Sequence, residues 1–432
     1  MDPLPIIALI GSFALMLAIG VPVAFSIIGS TAVTLLLFLP FEPALATMAQ
    51  RTATGMDSFV LLAIPLFILA GQFMNTPGIA GRLITFAKNL IGFLPGGLAF
   101  VNIAAAMLFG AISGSAGAAA SAVGGAMTGQ MTKAGYDRSF CAATNLTAST
   151  TGLLIPPSNA LIVYSLAAGG LSIGTLFVAG YIPGLILGLS LMLAAYIYAK
   201  RRNYPTEPRS SLSAILKSGL AALPSLFLLF IIMGGIIAGW FTPTEAAGMA
   251  VLYSALLSVL LYRDIPLRDI PEVLAKSVRT TSMVMILIAA SVGMSWLMAY
   301  IHLPQTISDA LLALSDNPII ILIIINVVLL CVGTFMDMTP AILIFTPIFL
   351  PVVVPLGIDP IQFGIIMVLN LSIGLCTPPV GSLLFIGSSV AGVGMTQVIR
   401  PLIPLLLVMV ISLLLVSLFP ALSLWLPSLF GM

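Results

Sequence analysis

The sequence predicts an all-α polytopic membrane protein built as an inverted repeat, with two re-entrant hairpins and two unwound helices. Three observations carry that expectation. Of 432 residues, 60% are hydrophobic and 6% charged, where a soluble chain carries about 25% charged residues, so lipid must be the solvent for most of the surface. The two halves correspond without gaps at a spacing of 222 residues: Gly135 with Gly357, Asp137 with Asp359, Gly152 with Gly374, Pro156-Pro157 with Pro378-Pro379, Leu161 with Leu383. Finally, the basic residues fall on one side of a single topology.

The same composition excludes other classes. No basic stripe exists for a nucleic acid. Cys141, Cys331 and Cys376 all lie in apolar segments, so no disulfide framework is expected. One histidine, His302, rules out multi-histidine metal chemistry and reads as a turn residue outside the membrane. Met1-Asp2-Pro3 runs straight into apolar sequence, without the basic start and cleavage site of a secretory signal.

Taken in order, the first half (1–199) opens with spans over 4–20, 23–39 and 57–74. An amphipathic segment, Ile79 to Ile91, then carries Arg82 and Lys88 and suits a membrane interface. Residues 98–133 are apolar but broken in the middle by small and polar residues, which suggests a hairpin entering and leaving by one side. A long span over 137–168 contains the first proline pair, and 176–199 closes the half. The stretch 200–218, with Lys200, Arg201, Arg202, Arg209 and Lys217, is the one water-bound linker. The second half (219–432) repeats the plan with spans 219–239, 247–262 and 280–299, an amphipathic Leu303 to Leu314, a hairpin over 318–355, a broken span 360–389 and a final span 402–420. In each half the first segments (1–97 and 219–317) form a scaffold, and the hairpin with the broken helix (98–170 and 318–390) forms the part that carries the site.

An odd number of crossings per half inverts the second half relative to the first. With the linker placed inside, every basic residue except Arg51 becomes cytoplasmic, and the first hairpin opens to the cytoplasm while the second opens outside. Both termini are then external.

Irregular backbone at membrane depth survives only where protein buries it or where it lines a site. Four breaks meet that description: Gly110 to Ala120 with Ser113, Gly114 and Ser115; Thr334 to Pro340 with Asp337 and Thr339; Thr150 to Asn159; and Gly374 to Ser382. Paired prolines remove donors and unwind the last two, freeing carbonyl oxygens. Carbonyls, hydroxyls and an occasional carboxylate suit a hard monovalent cation, while half-helix N-termini attract an anionic group. The expectation is a sodium-coupled carrier of an organic anion, with Ser115, Asn159, Asp337 and Ser382 facing the substrate. The plainer readings are close helix packing for Ser113 and Ser115 and a helix cap for Asp337, although an intramembrane carboxylate is functional by default. Thr242 and Glu245 read as a capping box, and Asp137 and Asp359 as caps. Amphipathic segments on opposite faces would brace a mobile hairpin part against a fixed one, so a vertical displacement is the implied mechanism.

Five motifs in order, Phe241 to Ala247 (FTPTEAA), the Gly-Ala-Ile-Ser-Gly-Ser-Ala run from Gly110, Phe335 to Pro340, Gly357 to Pro360, and Thr377 to Gly381, resemble the large membrane subunit (DctM-like, M subunit) of tripartite ATP-independent periplasmic transporters. The resemblance covers essentially the whole chain. It implies an elevator-type transporter in a bacterial inner membrane, working with a small four-helix membrane subunit and a soluble periplasmic binding protein. The implied substrate is a C4-dicarboxylate, a sialic acid or another carboxylate, driven by a sodium gradient. It also implies two sodium sites, one at Ser113, Ser115 and the break holding Thr151, Gly152 and Pro156, the other at Thr334, Asp337, Thr339 and the break holding Gly374 and Thr377. A separate small subunit is expected, because no extra four-helix segment precedes residue 1.

An intramembrane protease needs a Ser-His pair or two aspartates at depth, and Ser115 stands where a second acid would have to be. A proton-coupled or partner-independent carrier of the same superfold is the remaining rival. No arginine clamp for a carboxylate is evident at membrane depth.

Overall fold

The computed structural model describes residues 4–315 and 317–432, so readings placed on Met1 to Pro3 and on Asp316 lie outside the described residues. The described residues form helices and turns, with no strand among them. The first half contains α1 (Leu4–Ala18), α2 (Val23–Leu35), α3 (Phe41–Gly55), α4 (Ala63–Met74), α5 (Pro77–Ile91), α6 (Gly97–Ser113), α7 (Ala116–Lys133), α8 (Arg138–Ser149), α9 (Asn159–Ala167) and α10 (Ile173–Arg202). The second contains α11 (Leu212–Ile237), α12 (Pro243–Ala255), α13 (Ile270–Tyr300), α14 (Leu303–Leu314), α15 (Pro318–Phe335), α16 (Met338–Val353), α17 (Pro360–Gly374), α18 (Ser382–Ala391), α19 (Met395–Leu418) and α20 (Ala421–Leu429).

The repeat is visible in where helices begin. α7 and α16, α8 and α17, and α10 and α19 each start 222 residues apart. Local chemistry explains the starts. Thr242 and Glu245 form the expected capping box, with Pro243 at the first helical position, and the Asp359 side chain accepts from the Ile361 amide at 2.7 Å. Asp137 differs. It occupies the cap position of α8 without bonding that helix, because its carboxylate accepts instead from the Tyr204 hydroxyl at 2.9 Å. Burial pushes the Tyr204 phenol above its ordinary pKa, so the donor keeps its proton at any physiological pH.

Among the described residues, six helices are long and apolar enough to cross a membrane, or seven if α3 joins the segment from Phe59 through α4 across a 60° bend. Ten full spans were expected. One of the six is α15, an arm of the hairpin expected to enter and leave by one side, so five of the ten expected spans are among them. The other five are lost because α1 and α2 are short, the third is bent, and breaks divide the expected fourth span of each half. Two helices are absent from the sequence reading. α3 carries Glu42, Gln50 and Arg51 and looks loop-like by hydropathy, yet its alanines favour helix, and Arg51 lies 4.9 Å over the Trp296 ring. α20 follows Pro420 after the expected last span. α13 also begins ten residues before the expected 280, helped by Pro271 in its first turn and a Glu272–Lys276 pair at 2.8 Å.

Two sets of helices pack within themselves and also against each other, with α5 on α6, and α13 and α14 on α16. α4 lies on α12, α13 packs against α2, α3 and α4, and α5 lies on α11. In the other group α15 packs on α17, α18 on α7 and α8, and α19 on α8 and α10. Asn370 of α17 donates to the carbonyl and side-chain oxygens of Asn326 at 2.9 Å, and Asn326 donates to Ser417 at 3.0 Å. That chain of bonds ties α17, α15 and α19 together in the buried interior.

At the basic end of the first group, Arg82 of α5 pairs with Asp264 at 3.0 Å and stacks 3.6 Å over the Tyr262 ring. Thr76 donates to the same carboxylate at 3.1 Å. Replacing Asp264 by Asn leaves a half-buried guanidinium without its counter-charge. Charge-assisted bonds of this kind contribute about 1–3 kcal/mol, so a lowered thermal transition is expected for the purified variant; an unchanged transition would show the cluster to be idle.

Candidate functional site

The link between α6 and α7 is two residues long. Gly114 ends α6 in the left-handed region at φ 61°, which a side chain adopts poorly, and Ser115 caps α7 by accepting from the Ala118 amide at 3.3 Å. The link between α15 and α16 is equally short, Met336 and Asp337. Asp337 stands at the cap position of α16 without a side-chain bond to that helix, and it lines the same cavity as Ser382.

Each broken span turns beside its hairpin. After α8, one 3-10 turn (Thr150–Leu153) leads into the cis Pro156-Pro157 pair, and Ser158 caps α9 by accepting from the Leu161 amide while donating to the Leu153 carbonyl. After α17 the chain passes through the cis Pro378-Pro379 pair, and α18 begins at Ser382. The breaks approach the hairpin arms backbone to backbone. A Cβ built on Gly152 would stand 2.3 Å from the Gly110 Cα, and one on Gly374 would stand 2.6 Å from the Gly333 backbone. Among the described residues, only the second tip is also tied by a backbone bond, from the Gly381 amide to the Thr334 carbonyl at 3.0 Å.

These elements enclose a cavity of about 460 Å³. Of the residues expected at the site, Ser113, Ser115, Asn159, Asp337, Thr339 and Ser382 line it together. The four expected substrate contacts are all among them. Thr151, Gly152, Pro156, Thr334, Gly374 and Thr377 do not line it; all but Thr377 are buried behind the wall, in the breaks. The hydroxyls of Thr151, Thr334 and Thr377 each donate to a carbonyl three or four residues earlier, at 2.6, 2.6 and 2.8 Å, which leaves their oxygen lone pairs as the groups a cation could use.

Four helix N-termini converge on the cavity, those of α7, α9, α16 and α18, at Ala116, Asn159, Met338 and Ser382. Each such end carries a partial positive charge of about half a unit. No lysine, arginine or histidine lines the cavity, and Asp337 is its one charged side chain. Further oxygens lie close behind. Thr144 Oγ1, Asn145 Oδ1 and Asn370 Oδ1 are buried without a hydrogen-bond partner, on α8 and α17 within two turns of the breaks. Among the described residues no group of three or more His, Cys, Asp or Glu side chains is placed to hold a metal ion, so oxygens of hydroxyls, carbonyls and amides are the available donors.

Three polar lining residues escaped the sequence reading: Gln72 and Asn75 at the end of α4, and Thr280 of α13. Gln72 is the one polar side chain in α4. A single amide in an apolar span is the signal that could have found it.

Comparison with known proteins is consistent along the whole length. Residues 10–422 match the family model described as the tripartite ATP-independent periplasmic transporter, DctM component. An uncharacterized protein YgiK of Salmonella typhimurium is 52% identical over 427 residues, covering 99% of this chain and 98% of that one. The C4-dicarboxylate TRAP transporter large permease protein DctM of Pseudomonas aeruginosa is 44% identical, with 93% and 94% covered. The crystal structure of the YdaH transporter of Alcanivorax borkumensis is similar in fold alone, at a TM-score of 0.62 and 14% identity over 88% of each chain.

Proposed function

The chain belongs to the DctM components of the tripartite ATP-independent periplasmic transporters, and on that premise we propose that it imports an organic anion together with sodium, by an elevator movement. Membership makes it a multi-pass bacterial membrane permease rather than an enzyme. The proposal concerns the substrate, the driving ion and the motion. One observation supports it above the rest: two hairpin tips and two unwound helices meet at a single cavity whose helix N-termini attract an anion and whose only side-chain charge is Asp337.

The charge arithmetic favours cation coupling. Two unit negative charges about 6 Å apart repel by roughly 3 kcal/mol at an effective dielectric of 20, and an organic anion entering beside Asp337 meets no basic side chain to offset that. Sodium ions on the hydroxyl and carbonyl oxygens of the tips and breaks would offset it, so that neither ion nor substrate binds well alone. The relative named for C4-dicarboxylate transport makes such an acid the first substrate to try, with a sialic acid next. Hairpin tips and broken helices (98–170 and 318–390) would move as one body against α1–α5 and α11–α14, with α5 and α14 as braces. The partners would be a small membrane subunit and a periplasmic binding protein.

The test is uptake into proteoliposomes holding this chain and its small subunit, with binding protein outside. Accumulation should require both an inward sodium gradient and the binding protein. Uptake that ignores the sodium gradient would refute the coupling, and uptake without the binding protein would identify a stand-alone carrier of the same superfold.

A further inference from the structure

We propose that α4 is the fixed wall of the substrate cavity and that Gln72 and Asn75 are substrate contacts made only while the cavity faces the cytoplasm. The inference rests on the transporter reading above, but it concerns residues outside the hairpins and the broken helices.

The cavity draws its lining from both helix groups. Tips and broken helices supply one side, and α4 with α13 supplies the other through Gln72, Asn75 and Thr280. Gln72 is half-buried, whereas Asn75 and Thr280 are exposed, which places the mouth at their end. Neither amide side chain has a hydrogen-bond partner among the described residues, so both keep donors and acceptors for a ligand. An otherwise apolar helix that turns one amide into a cavity carries a desolvation cost unless something polar binds there.

α4 also touches the first tip directly. A Cβ on Gly71 would stand 2.7 Å from the Ser113 carbonyl oxygen, so glycine at this position lets the tip seat on the wall with Gln72 and Ser115 facing one space. The mouth lies at the basic end of the molecule. Asn75 precedes the Thr76, Asp264 and Arg82 cluster, and Thr280 follows Arg279; positive charge marks the cytoplasmic side. If the tips carry substrate away from that end, α4 stays behind and its amide contacts are broken. Gln72 and Asn75 therefore tune the affinity with which substrate is held before release inside, and have no part in capture from outside.

Two measurements test this. In a chain whose Cys141, Cys331 and Cys376 are replaced by alanine, Gln72→Cys should react with a membrane-impermeant maleimide in inside-out vesicles and not in right-side-out ones. Equal reaction from both sides, or none from the inside, overturns the wall. In proteoliposomes with both partners, Gln72→Ala should raise at least fivefold the half-inhibitory concentration of succinate, or of N-acetylneuraminate, placed on the cytoplasmic side against uptake of the same compound. The half-saturating concentration outside and the thermal transition should not change. Unchanged inhibition from the inside overturns the substrate contact even if uptake is intact. A wild-type chain that transports neither compound with sodium and binding protein fails the transporter reading instead, and vesicle labelling then decides the wall by itself.

Discussion

Replacing Asp337 by Asn should reduce sodium-driven uptake by at least tenfold while leaving the protein folded. The two side chains have nearly the same shape, and Asn is as good as Asp at a helix N-cap, so α16 keeps its start. What changes is charge. Asp337 is the only acidic residue among the described cavity-lining side chains, and it sits at the second hairpin tip in the same lining as Ser382. Without it, a cation at that tip retains hydroxyl and carbonyl dipoles but loses a full counter-charge, and the gain in substrate affinity from a bound cation shrinks with it. The check pairs uptake with the thermal transition of the purified protein. Full uptake would show that Asp337 is only a cap, and a collapsed transition would show that the loss of uptake reflects misfolding.

Gly152→Ala should be as damaging by a different route. In most helices an exposed glycine replaced by alanine gains up to about 1 kcal/mol of helix propensity. Here the added methyl would stand 2.3 Å from the Cα of Gly110 and 2.6 Å from its carbonyl carbon, and backbone cannot rotate away as a side chain would. Overpacking of this kind costs about 1–3 kcal/mol, and the strain falls on the joint between the first hairpin and the first broken helix. A lower thermal transition and loss of uptake are expected together. Gly125→Ala is the control: it lies on the neighbouring α7 with nothing within 4 Å of its Cβ, and it should be neutral or slightly stabilising. If the two variants behave alike, the close approach has no energetic weight.

The sequence showed more of the site than of the scaffold, for a physical reason. Tips and breaks depend on residues with strong local rules, the proline pairs, Gly114 and the Ser115 cap, and a repeat at fixed spacing doubles every such signal. The six expected residues that line the cavity were legible on those terms. Thr151, Gly152, Pro156, Thr334, Gly374 and Thr377 were legible as breaks, but whether a break faces a cavity or a neighbouring helix depends on the approach of Gly110 to Gly152 and of Gly333 to Gly374, which no local pattern encodes. α3 was missed because its threonines, glutamine and two charged residues keep its mean hydropathy low, and Gln72 because nothing about its own span is irregular. Tertiary placement alone brings α4 against the first tip.

The unequal helix lengths also act on the surrounding lipid. At about 1.5 Å per residue, α1 with 15 residues and α2 with 13 reach roughly 20 to 22 Å, short of a hydrocarbon thickness near 30 Å, whereas the apolar part of α13, from Thr280 to Tyr300, reaches about 30 Å and matches it. A bilayer that fits α13 is therefore too thick for the amino-terminal pair, and lipid beside that pair would have to thin. An annulus thinned on that one side would make the preferred membrane thickness a property of the folded chain.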